Sequence, residues 1–100
     1  MDFTFAENKL ERLYVDPKFN AKMAPAIVKA FREVMDTIRD APDERDFYAL
    51  KSLHFEKLSG SRRHQHSMRL NDQYRLIVEL IDQDTGPKEV RIVDVEDYHS

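Results

Sequence analysis

The hydrophobic period of this chain changes once, and that change decides what it can fold into. Ile27, Phe31, Val34, Met35 and Ile38 recur at offsets of three and four, a single stripe along one helix. Lys29, Arg32, Glu33, Asp36 and Arg39 fill its other side. Past Leu53 the period falls to two. Gln65–Leu70 alternates His66, Met68 and Leu70 against Ser67 and Arg69. Tyr74–Ile81 is the most apolar run and predicts a central strand. Glu89–Val95 alternates Val90 and Ile92, with Asp94 next in that series, against Arg91, Val93 and Val95. Asn71-Asp72-Gln73 and Asp84-Thr85-Gly86-Pro87 are turns joining these runs. Helices first and hairpin-linked strands second predict an α+β fold, with N-terminal helices packed on one face of a small, mostly antiparallel curved sheet.

The remaining elements follow from local signals. Asp2–Ala6 alternates and predicts a short first strand. Asn8 is a candidate cap for a short helix presenting Leu10, Leu13 and Tyr14 on one side. Asp16-Pro17 reads as a second helix start, and Ala24-Pro25 as another start or a kink. The long helix should end near Ala41-Pro42, because proline restricts the residue before it. Asp43–Leu50 predicts a short helix. Leu53, Phe55 and Leu58 begin a strand-like stretch that stops at Ser59-Gly60-Ser61. With 100 residues there is room for one core, so residues 1–100 are expected to form a single domain.

Composition removes several chemistries. The chain has no cysteine, which excludes disulfides, thiolate metal sites and cysteine nucleophiles. Its two glycines, at positions 60 and 86, make no phosphate-binding loop. His64-x-His66 can place two imidazoles on one strand face, but no third ligand has metal-site spacing, so no metal or cofactor is expected. No run reaches the roughly 18 apolar residues of a membrane span, and Met1–Phe5 lacks the pattern of a secretory signal. A cytoplasmic location is the expectation.

The formal net charge of −3 argues against bulk coating of nucleic acid. Between His54 and Arg75, however, Lys57, Arg62, Arg63, Arg69 and Arg75 face only Glu56 and Asp72. An anion site therefore belongs on this segment, unless these arginines simply solvate a sheet face. Metal-free phosphodiester cleavage needs groups that remove a proton, neutralise the phosphorane and protonate the leaving oxygen. Arginine, histidine and tyrosine supply such groups, and Tyr98 and His99 stand at the C-terminus. On chemistry alone that pair is more often a frayed end than a catalytic one, and the structural alternative for Arg75 is an ion pair with Asp72 or Glu79. His66, alternating with Met68, reads as a packed core histidine. Phe55 and Tyr74 read as core or edge packing.

The run Phe55-Glu56-Lys57-Leu58-Ser59-Gly60-Ser61-Arg62, followed by Gln65-His66-Ser67-Met68-Arg69-Leu70-Asn71-Asp72-Gln73-Tyr74-Arg75-Leu76, resembles the HigB toxins of the RelE/ParE superfamily. The ending Ile92-Val93-Asp94-Val95-Glu96-Asp97-Tyr98-His99 is similar to theirs. The resemblance implies a growth-inhibiting toxin of a type II toxin–antitoxin system, paired with a helix-turn-helix antitoxin like HigA and itself monomeric outside that complex. It implies a metal-independent endoribonuclease that cuts mRNA on the translating ribosome. By the same resemblance, Arg75 contacts the scissile phosphate, and Tyr98 and His99 serve catalysis and substrate positioning. Asp97 is their acidic neighbour, and Lys57, Arg62, Arg63, His64 and Arg69 grip RNA. Where some members carry a lysine before the glycine of the turn, this chain has Ser59; Lys57 lies two residues earlier, on the same face by strand alternation. The other implied class is a non-nuclease member of the superfamily, one that inhibits a protein target such as DNA gyrase or persists inactive with its antitoxin.

Overall fold

The computed structural model describes residues 1–98. Its elements run β1 (Phe3–Phe5), α1 (Asn8–Val15), α2 (Pro25–Asp40), α3 (Arg45–Ala49), β2 (Glu56–Lys57), β3 (His66–Arg69), β4 (Tyr74–Ile81) and β5 (Glu89–Asp97). Single 3₁₀ turns at Lys51–Leu53 and Gly60–Arg62 flank β2. The five strands form one sheet in the order β1-β5-β4-β3-β2. All neighbours are antiparallel except β1 and β5, which run parallel. The expected α+β class, with helices on one face of a mostly antiparallel sheet, is the one observed.

The helix stripe is the core. Ile27, Val28, Phe31, Met35 and Ile38 of α2 are buried, and Leu10 and Leu13 of α1 join them. Across from them lie Met68, Leu76, Val78, Val90 and Ile92 of the sheet, all at 0% exposure. Each such side chain contributes roughly 1.5–3 kcal/mol over an exposed one. Pro25 opens α2 at a position where its missing N–H costs nothing, and Ala41, before Pro42, closes it in extended backbone. His66 stacks on Phe55 with ring centroids 4.6 Å apart, the packed histidine expected.

Four expectations need correction. Glu7, not Asn8, occupies the cap position of α1, and Asn8 is already helical. Asp16-Pro17 starts no helix. Asp16 instead ends α1, its N–H donating to the Arg12 carbonyl and its side chain accepting the Lys18 N–H at 2.9 Å; an Asp that bonds its own following backbone makes a turn as readily as a cap. The strand expected from Leu53 shrinks to Glu56–Lys57, because Leu53 closes a 3₁₀ turn. In β5 the alternation breaks: Ile77 pairs with Asp94 but Val78 with Ile92, so Val93 is an extra residue. This bulge shifts every later side chain to the opposite face. Val95 joins Val90 and Ile92 at the core, while Asp94 turns to the other side with Glu96.

Candidate active site

The site lies on the sheet face turned away from α1 and α2, at the end where β4 begins. Asn71 makes the turn that leads into it. Its side-chain oxygen accepts the N–H groups of Gln73 at 2.9 Å and Tyr74 at 2.7 Å. The C-terminal segment docks on this turn. The Tyr98 N–H donates to the Gln73 carbonyl at 3.0 Å, and its hydroxyl donates to the Asn71 carbonyl at 3.1 Å. Gln73 Nε2 donates to Asp97 Oδ2 at 2.9 Å. Asp97 and Tyr98 are therefore held in place, and the frayed-end reading does not apply to them. His99 lies outside the described residues.

His54, Glu56, Ser67, Arg69, Arg75 and Tyr98 line a cleft of about 280 Å³. Strand register explains four of them. Glu56 pairs with Ser67 across β2 and β3, and Arg69 pairs with Arg75 across β3 and β4, so all four share one face. His54 comes from the loop before β2 and has left-handed backbone, φ 47° and ψ 52°. That conformation is uncommon for a residue with a Cβ and ends the preceding 3₁₀ turn. The Tyr98 ring lies against Arg75, whose guanidinium carbon is 5.3 Å from the ring centroid.

Carboxylates organise the charge. Glu96 accepts two bonds from Arg62, Nη1 to Oε1 at 2.9 Å and Nη2 to Oε2 at 2.8 Å. It accepts a third from Arg75 Nη2 at 2.8 Å. The Arg62 bonds above all, then those from Arg75, pull the Glu96 carboxyl down to about 2 against the opposing effect of burial. Arg69 pairs with Asp72. Arg62 Nε also donates to Gln65 Oε1 at 3.1 Å, and Gln65 Nε2 to Glu79 at 3.1 Å. Glu79 is in turn 3.6 Å from His64 Nε2 and 4.0 Å from Arg91.

The residues singled out in the sequence separate into groups. Arg69, Arg75 and Tyr98 meet in the cleft, with Asp97 beside them. Arg62 reaches the same cluster through Glu96 without lining the cleft. The ion pair foreseen for Arg75 exists, but its partner is Glu96 and not Asp72 or Glu79. His64 and the exposed Arg63 sit on the turn beyond, away from Tyr98. Lys57 pairs in register with His66 and so faces the helix side of the sheet, opposite Arg75. His64 and His66 do not share a face: one approaches Glu79, the other stacks on Phe55.

Sequence reasoning passed over His54, Glu56 and Glu96. A histidine bordering a strand carries no pattern of its own. Glu96 was hidden by the bulge, since strict alternation carries it onto the helix side with Val90 and Ile92. Among the described residues, no group of three His, Cys, Asp or Glu side chains is placed to hold a metal ion.

With this geometry in hand, comparison with known proteins gives a coherent result. Residues 3–99 match a family model described as the RelE-like toxin of type II toxin-antitoxin system HigB. Toxin HigB-1 of Vibrio cholerae serotype O1 is 30% identical over 82 residues, covering 82% of this chain and 86% of its own length. A YoeB/ParE toxin from Agrobacterium tumefaciens superposes with a TM-score of 0.58 over 99% of this chain and 100% of its own. At 12% identity that likeness speaks for the fold alone.

Proposed function

The chain belongs to the HigB-like toxins, RelE-like members of type II toxin–antitoxin systems, and from that premise we propose that it is a metal-independent endoribonuclease cutting mRNA on the translating ribosome. One observation supports this above the rest: residues as distant in sequence as His54, Arg75 and Tyr98 converge on one cleft. In the reaction a base takes the proton of a ribose 2′-hydroxyl, and the freed oxygen attacks the adjacent phosphorus. The bond to the 5′ oxygen breaks as that oxygen gains a proton, leaving a 2′,3′-cyclic phosphate and a 5′-hydroxyl.

Arg75 stabilises the charge that builds on the phosphorane. His99, one residue beyond the docked Tyr98, serves as general acid or base, and the cleft imidazole of His54 is suited to the complementary proton transfer. Tyr98 positions the substrate, its ring offering a face to a base. Arg69 meets the backbone at the cleft, with Asp97 bracing the turn through Gln73. Arg63, His64 and Lys57 lie outside the cleft and grip RNA backbone at a distance. The partners are the ribosome, mRNA and a helix-turn-helix antitoxin like HigA; the toxin is monomeric apart from it and works in the cytoplasm.

The test is a translation extract carrying a reporter mRNA, with cut sites read by primer extension. Cuts should require translating ribosomes and should fall sharply in His54→Ala and His99→Ala. Absence of cuts, or cuts unchanged in both variants, removes the reading.

A second reading has its own support. Three of the segment's arginines are already paired with carboxylates, as suits a superfamily member that inhibits a protein target such as DNA gyrase. Under it, the chain inhibits supercoiling by gyrase, and truncation before Tyr98 leaves growth arrest intact.

A further inference from the structure

We infer that Glu96 is the positioning residue for Arg75, and that Arg62 acts through Glu96 instead of gripping RNA. The kinetic part of this inference rests on the nuclease reading above.

Glu96 is half-buried on the cleft face of β5, directly opposite Arg75 in the antiparallel register. The bulge at Val93 puts it there. Its carboxylate takes three N–H bonds from two guanidinium groups. Arg62 supplies a two-pronged fork, the geometry in which arginine holds a carboxylate most firmly. Its Nε is bonded to Gln65, so all three of its nitrogens have protein partners and none is directed into the cleft. Arg62 thus aims Glu96, and Glu96 aims Arg75.

Arg75 is held differently. Only Nη2 is bonded to Glu96, and Tyr98 bounds one face of the guanidinium. Its Nε is buried with no hydrogen-bond partner among the described residues. A guanidinium this enclosed, with 24% of the side chain exposed, is costly without a fixed anion beside it. Glu96 is that anion. Two of the three bonds to Glu96 come from Arg62, which also feels the charge of Asp94, and only one from Arg75. Glu96 therefore orients Arg75 through a single bond while Arg62 takes most of its charge. A donor held in advance costs no reorganisation when charge develops, and a misplacement of about 1 Å can cost roughly a hundredfold in rate.

The test pairs a spectroscopic arm with a kinetic one on the full chain. Rotation about the Arg75 Nε–Cζ bond is measured by ¹⁵N NMR, the signal being assigned with Arg75→Lys. It should be hindered in the wild type and become fast in Glu96→Ala and in Arg62→Ala, with Glu96→Gln intermediate because it keeps an acceptor oxygen. In the cleavage assay, Glu96→Ala should lower kcat by roughly tenfold to a hundredfold while leaving KM for programmed ribosomes nearly unchanged. Added to Arg75→Ala, it should cost nothing more. Glu96→Gln and Arg62→Lys keep the comparison usable should an alanine variant fail to fold. The inference is overturned if Arg75 rotation is insensitive to Glu96 and Arg62, or if Glu96→Ala costs as much in the Arg75→Ala background as alone. It is equally overturned if Glu96→Gln cuts faster, since Glu96 then merely competes with phosphate. A wild type that never cuts removes the nuclease reading, and the rotation arm still decides the positioning role.

Discussion

Strand β4 carries two proteins' worth of chemistry on alternate residues. Leu76 and Val78 point to the helices and are wholly buried among Met68, Val90, Ile92 and the α2 stripe. Arg75 and Glu79 point the other way, each fastened to named partners on β5 or the turn after β2. The first face depends on volume and exclusion of water, forces without direction. The second depends on angle and partner, because a guanidinium a short distance out of place no longer meets its target. The cleft face keeps some stability of its own, through the buried Ile77 and the Glu96 pair. Loss of Leu76 or Val78 should still fall first on stability, and loss of Arg75 first on activity.

The hardest blow to that separation is Leu76→Ala. It should cost about 2–5 kcal/mol in urea unfolding while the folded fraction keeps its cleavage rate. A loss of specific activity in the surviving folded molecules would break the comparison. Next comes Tyr98. Tyr98→Ala should reduce cleavage by roughly tenfold with little change in stability, since stacking on an aromatic face contributes about 1–3 kcal/mol per base. Tyr98→Phe keeps the ring, loses the hydroxyl's bond to the Asn71 carbonyl, and should cost less.

Two acid-induced losses of stability sharpen the contrast further. On the cleft face, Glu96 has its carboxyl lowered from 4.5 to about 2. A depressed carboxyl stabilises the fold at pH above the unfolded value, so that part of the stability should be lost as pH falls from about 4.5 toward 2. Glu96→Gln should remove this portion of the acid transition. On the helix face, burial first, and then the charges of Lys57 and Lys88, lower His66 below 6.5. A depressed imidazole is destabilising to protonate, so stability should decline as pH drops below about 6.5, and His66→Phe should flatten that slope. Smallest of all is Lys57→Ala. Facing the helix side at the sheet edge, it should weaken ribosome association only a few-fold and reduce its salt dependence slightly.

Much of the helix face was legible from the sequence, because burial imposes a period. The stripe from Ile27 to Ile38 and the span of β4 emerged as expected. The cleft face was legible only in part. Arg75, Arg69 and Tyr98 could be named from residue type and resemblance. Their connections could not, because these depend on one extra residue. Val93 moves Glu96 across the sheet. The one sign of it in the sequence is the apolar doublet Ile92-Val93 followed by Asp94, and strict alternation carried through that doublet misplaces Glu96. His54 escaped for a different reason: its position is set by a left-handed backbone, which histidine does not announce. Asp16-Pro17 misled because a capping residue and a turn residue use the same side-chain bond.

The cleft lined by β2, β3, β4 and the docked Tyr98 is the proposed cutting site, and Arg75 is the lining residue proposed to meet the phosphorane. The direct measurement compares wild type and Arg75→Ala in a reconstituted translation system, with mRNA ends mapped by primer extension and stability followed in parallel by thermal unfolding. The account predicts ribosome-dependent cuts by the wild type and a loss of roughly a hundredfold or more in the variant, a scale typical of removing one transition-state donor, with both proteins folded. Equal cutting by a folded Arg75→Ala, or no cutting by the wild type, would contradict it.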